Sequence, residues 1–161
     1  MKSSKSATND RPVKTLSASK RQLAGERILL TFWVGSLWTI GYIVAPTLFA
    51  RLEDHALAGS LAGVLFHIIA WLGLVCGSLL LLSNQWRYAG RRFNWRAVVL
   101  VLMLLLVAVG EFVLTPAIAE MRQLGATESA DFKTAHGIAA SLYLLTSLLG
   151  LLLVAAASDS A

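Results

Sequence analysis

Residues 97–119 read AVVLVLMLLLVAVGEFVLTPAIA, and a soluble helix does not read this way. One charge, Glu111, stands in the whole stretch. A soluble helix carries an apolar stripe and a charged face; here the apolar character runs all the way round, as it does when the solvent is lipid. About 20 such residues cross a ~30 Å hydrocarbon core. The stretch is therefore a transmembrane span.

Working outward, three more stretches of similar length and character appear, at about Ile28–Ala50, Leu61–Leu82 and Gly137–Ala157. They account for a chain that is 57% hydrophobic and only 14% charged, where a soluble domain has roughly a quarter charged residues. The expected fold is all-α: a four-helix transmembrane bundle over residues 27–158, preceded by a disordered basic tail over residues 1–26. The tail is not a signal peptide, because the apolar stretch behind it is about twice the length of a typical h-region and no small-residue cleavage site closes it. Asp54, Asn94 and Ser129 are the expected caps of the second, third and fourth helices.

Lys and Arg set the orientation. The tail holds Lys2, Lys5, Arg11, Lys14, Lys20, Arg21 and Arg27, and the middle loop holds Arg87, Arg91, Arg92 and Arg96. The two other loops hold only Arg51, Arg122 and Lys133, diluted by Glu53, Asp54, Glu120, Glu128 and Asp131. The positive-inside rule then places the tail, the middle loop and the C-terminus in the cytoplasm, in an inner membrane if the cell is bacterial. Trp86, Tyr88 and Trp95 form an aromatic belt beside the middle-loop arginines. The net charge of +5 thus serves topology and does not point to nucleic acid.

The two halves resemble one another. Pro46 lies near the outer end of the first span and Pro116 near the outer end of the third; His67 and His136 follow them by 21 and 20 residues. Two hairpins of like orientation would pack about an axis along the membrane normal. Small residues should bring the helices together, since lipid tails supply no hydrophobic drive between them. Gly59, Gly63, Gly73 and Gly77 share a face of the second span with Ala70 and, at its edge, His67. Thr31, Gly35, Trp38, Tyr42 and Pro46 align on the first span, and His136, Ala140, Tyr143, Ser147 and Gly150 on the fourth. These faces are expected to form the interior. Cys76, the single cysteine, excludes an internal disulfide and reads as a small packing residue.

Glu111 carries the most information. A carboxylate at its depth costs at least ~2.5 kcal/mol unless it is paired, protonated or wetted. His67 lies at a similar depth and is its natural partner. Such a pair binds a proton or a metal, or is simply a satisfied polar contact. His136 opens the fourth span, where it can hydrogen-bond, cap the helix or face His67. Glu111, His67 and His136 are the candidate polar cluster, expected to share one pocket on the external side. The prolines free carbonyls one turn earlier, for which Tyr42 and Thr115 are candidate donors. No dinucleotide fingerprint, phosphate loop, zinc-protease motif or nucleophile elbow occurs, so no enzyme chemistry and no cofactor are expected. The alternative is haem b or copper held by His67 and His136. Expected partners are the lipid bilayer and other membrane proteins or a second copy of the chain.

Several of these residues also carry a resemblance. Gly41-Tyr-Ile-Val-Ala-Pro46-Thr-Leu-Phe49, the approach Ala58-Gly-Ser-Leu-Ala-Gly63, Glu111 followed by Thr115-Pro116, and Phe132-x-x-x-His136-Gly137 resemble the bacterial domain-of-unknown-function 4149 proteins. That family is similar to eukaryotic transmembrane protein 205. The likeness runs from about Leu29 to Leu153. It implies a four-helix membrane domain without settled biochemistry, and marks Gly41, Pro46, Phe49, Glu111, Pro116, Phe132, His136 and Gly137. The architecture is more distantly similar to copper-resistance-D-like four-helix proteins, some of which bind haem, by analogy of fold alone. Two functions are expected to compete: a non-enzymatic accessory or regulatory membrane protein, or one assisting small-solute movement, against a haem- or metal-binding protein.

Overall fold

A computed structural model describes residues 11–87 and 94–158, with side chains over 21–85 and 94–157. The start of the tail, Trp86, Tyr88 and the middle-loop arginines Arg87, Arg91 and Arg92 fall outside the described side chains. Helix α1 (Arg11–Thr39) passes into a π-helical segment, Ile40–Val44, and then α2 (Ala45–Arg51). Helix α3 (His55–Arg87) returns. Helix α4 (Trp95–Val109) passes into a second π-helical segment, Gly110–Leu114, and then α5 (Thr115–Gln123); α6 (Ala130–Ser158) closes the chain. Four spans long and apolar enough to cross a membrane result: Arg21–Arg51, His55–Gln85, Trp95–Gln123 and Ala130–Ala157.

The helix starts follow local chemistry. Asp54 Oδ1 accepts from the amides of Ala56 and Leu57, Asn94 Oδ1 from Ala97, and Ser129 Oγ from Phe132. Each satisfies donors that the first helical turn cannot pair internally. The first helix has no break near residue 26. It runs unbroken from Arg11, and Gln22 and Glu26 hydrogen-bond with Ser83 on α3. Hydropathy drops there while helical packing continues.

The spans pack in a ring. Helix α1 lies against α3 and α6, and α4 lies against the same two. The first and third spans are thus diagonal, as two parallel hairpins about a common axis require. The buried core comprises Leu30, Trp33, Val34 and Leu37 of α1, Ile69, Cys76 and Leu80 of α3, Leu100 and Met103 of α4, and Leu153 of α6.

On the first span the interior face differs from the small-residue stripe. Thr31, Gly35, Trp38, Tyr42 and Pro46 are exposed, and the bulky set one step round is buried. The reason lies on α3. Trp33 is fully buried and its indole fills the notch over Gly73 and Gly77. A Cβ at Gly73 would lie 2.6 Å from Trp33 Nε1, and one at Gly77 would lie 2.7 Å from Leu104 Cδ2 and 3.1 Å from the indole. Small residues on one helix accept a large one from its neighbour, so the glycine stripe of one helix predicts a bulky face on the other. Gly59 and Gly63, by contrast, lie under the Arg122 guanidinium, at 3.6 and 3.5 Å from a built Cβ. They seat a charged side chain where Gly73 and Gly77 seat an apolar one.

Candidate functional site

Both π-helical segments end two residues before a proline. Proline lacks the N–H that would bond the carbonyl four residues earlier, and its ring clashes with that carbonyl. Widening the preceding turn relieves the clash. The Ala45 amide reaches back five residues to the Ile40 carbonyl, and the Thr115 amide does the same to Gly110. Thr115 adds its hydroxyl to the Gly110 carbonyl at 3.0 Å. That is two carbonyls earlier than Phe112, whose carbonyl Pro116 leaves free. Tyr42 braces elsewhere, its hydroxyl sharing a hydrogen with Ser147 Oγ at 2.7 Å.

Glu111 is the second residue of the second π segment. A π turn displaces its side chains from the α-helical register, and π bulges occur frequently at functional sites. Glu111 lies only ~3 Å along the axis from the middle of Trp95–Gln123. Its side chain is 6% exposed and bonds directly to Nδ1 of His67 on α3. His67 stands ~4.5 Å from the middle of His55–Gln85, so the pair meets near the middle of both spans. The carboxyl lies inside the bundle, but the imidazole is 53% exposed. Trp71 packs edge-on to the His67 ring, with centroids 6.4 Å apart, and Phe112 edge-on to Trp71 at 5.9 Å. The pair therefore opens sideways through the seam between the second and third spans, beside two aromatic rings.

His136 does not join this pair. Its ring stacks on Phe132, one turn earlier, with centroids 6.0 Å apart and planes 3° from parallel. Among the described residues, it forms no hydrogen bond or ion pair with His67 or Glu111, and no three His, Cys, Asp or Glu side chains converge in a metal-sized group. The arrangement offers two ligating groups, the Glu111 carboxyl and the His67 imidazole, able to share a proton between them.

The other motif residues support the frame. Gly41 lies against the Tyr143 ring, and the Tyr143 hydroxyl donates to the Leu37 carbonyl at 2.6 Å. Phe49 packs near Gly59 and His55. Gly137 has open space beside it, and its carbonyl accepts from Ser141. Sequence reading overlooked Trp33, the Tyr143–Leu37 bond, and a polar group formed by Gln22, Glu26, Ser83, Asn84 and Arg96 at the basic end of the bundle. The helical spacing of Glu26, Leu30, Trp33, Val34 and Leu37 carried a signal for it, since Glu26 extends the buried stripe by one turn.

Neither the curated proteins nor the solved structures yield a match to the chain. A family model described as Domain of unknown function (DUF4149) matches residues 28–127. That range includes both π segments, both prolines, His67 and Glu111, and ends before Phe132, His136 and Gly137. Matched over more than half its length, with the paired residues inside the match, this chain belongs to the family Domain of unknown function (DUF4149).

Proposed function

We propose that this is a non-enzymatic accessory protein of the membrane that assists the movement of a small solute, with the His67–Glu111 pair as its proton or cation exchange site. The pair is the single observation that carries the reading. Intramembrane ionisable residues are costly and mark ion paths and proton relays. Here one partner is sheltered and the other opens to the outside of the bundle, so that one can hold a charge while the other trades it. The π turn beneath Pro116 adds support, because a turn with loosened register is a natural hinge beside the pair. The Lys and Arg distribution favours both termini in the cytoplasm of a cell whose inner membrane holds the protein.

Purified protein in proteoliposomes loaded with a pH-sensitive dye tests the reading. An imposed pH gradient should collapse at least several-fold faster with the wild-type chain than in empty vesicles. Glu111→Gln and His67→Gln should return the rate to that of empty vesicles while keeping full helical content. Equal rates for wild type and Glu111→Gln would overturn the proposal.

A further inference from the structure

At the end of the bundle where the first span begins and the fourth ends, the described residues leave two adjoining cavities. Glu26 and Arg96 line both; Asn84 lines one and Arg27 the other, over a floor that includes Leu30 and Leu100. Each encloses about 260 to 270 Å³, open solvent at the mouth included. The enclosed part is far smaller, about 10 Å³ in each, room for one water-sized atom. An occupant therefore rests at the open mouth and inserts one oxygen-sized group, as a compact charged group, free or carried on a tether, can do.

The lining is rich in donors. Asn84 is 5% exposed, and its Nδ2 is buried without a hydrogen-bond partner. A buried donor left so costs ~1–3 kcal/mol, which a ligand acceptor would recover. Arg96 makes no hydrogen bond or ion pair among the described residues. Arg27 uses one nitrogen on the Ala157 carbonyl at 3.2 Å, and its other donors have no partner among the described residues. The one acid on the wall, Glu26, is already held: Ser83 Oγ donates to it at 2.6 Å, and Gln22 Nε2 donates to Ser83 Oγ at 2.9 Å. Arg96 and Arg27 line the space, and the unpartnered Asn84 amide is closed into its wall, against one engaged carboxylate. A planar guanidinium fork matches the oxygens of a phosphate in two parallel bonds.

Position narrows the source. The cavities lie near the start of the first and third spans and the end of the second, beside the stretches of sequence richest in Lys and Arg, where lipid headgroups are expected. Basic pockets between transmembrane helices on that side are where phosphorylated headgroups bind. We infer that this vestibule is a phosphate site, with Arg96 and Asn84 as its principal donors and Arg27 at its rim, occupied by the headgroup phosphate of a membrane phospholipid. The site is separate from the His67–Glu111 pair. Leu100 and Met103 of α4 and Leu30, Trp33 and Leu37 of α1 are buried between the two levels, so either site can fail without the other.

Native mass spectrometry of the full chain, released from detergent, reads the occupancy. Wild-type protein titrated with phosphatidylglycerol or phosphatidylethanolamine should retain one lipid per chain. Arg96→Gln and Asn84→Asp should weaken that binding at least tenfold, the second by placing a carboxylate against the phosphate. Arg51→Gln, at the opposite end, should leave it unchanged. Arg96→Lys, which keeps the charge, should bind with intermediate strength and guards against a folding defect in Arg96→Gln. Inorganic phosphate forms the second arm. If millimolar phosphate displaces the lipid from wild type but has no effect on Arg96→Gln, the phosphate chemistry stands and a free anion also enters. If Arg96→Gln and Asn84→Asp, both correctly folded, retain lipid and phosphate as wild type does, the inference is overturned.

Discussion

The two π-helical segments are the same device put to different uses. Each is five residues long and ends two residues before a proline. In register, Gly41 of the first corresponds to Glu111 of the second, and Ala45 to Thr115. At Gly41 the space is taken by the Tyr143 ring, and the hydroxyl of that ring is spent on the Leu37 carbonyl. At Glu111 the space is taken by a carboxyl, which reaches His67 across the helix interface. The first segment is packed and neutral. The second keeps an ionisable group at a depth where ionisation is expensive. A widened turn is therefore not itself the function. Proline chemistry produces it twice, and the residue at its second position decides whether the space takes a neighbour's ring or a carboxyl.

This comparison can be broken most forcefully at Gly41. Leucine there must displace the Tyr143 ring, and overpacking of this kind costs about 3 kcal/mol. The midpoint of heat-induced aggregation in detergent should fall sharply. A midpoint within a degree of wild type would mean that the first segment is not the packed one. His67→Ala comes next. It strands the Glu111 carboxyl without its partner, at a cost of about 2 kcal/mol, whereas Glu111→Gln should stay close to wild type in stability because an amide can still hydrogen-bond the imidazole. If both variants melt alike, the pair is a simple brace. Tyr143→Phe is the mildest. Loss of the hydroxyl donor to Leu37 should cost about 1 kcal/mol and leave proteoliposome proton flux unchanged. A flux defect in Tyr143→Phe would show that both segments work as one unit.

Much of the architecture was legible because its causes are local. Span positions follow from hydropathy and length. The caps at Asp54, Asn94 and Ser129 follow from oxygen acceptors standing before apolar runs. Glu111 announces itself by cost alone, and matching depth singled out His67 as its partner. His136 was grouped with them because it lies on the polar face of the fourth span, and that face could not reveal that its ring turns to Phe132.

What the sequence determined by itself was a set of four apolar helices, their ends, and the residue that lipid makes expensive. What only the tertiary structure decided was which faces meet: Trp33 in the Gly73–Gly77 notch rather than a stripe of small residues, Arg122 over Gly59 and Gly63, and Glu26, Asn84 and Arg96 around one vestibule. The physical reason is the solvent. In water, the polar face of a helix tells which side is buried. In lipid both sides are apolar, so the choice falls to shape complementarity and a few hydrogen bonds, and those depend on partners far away in the chain.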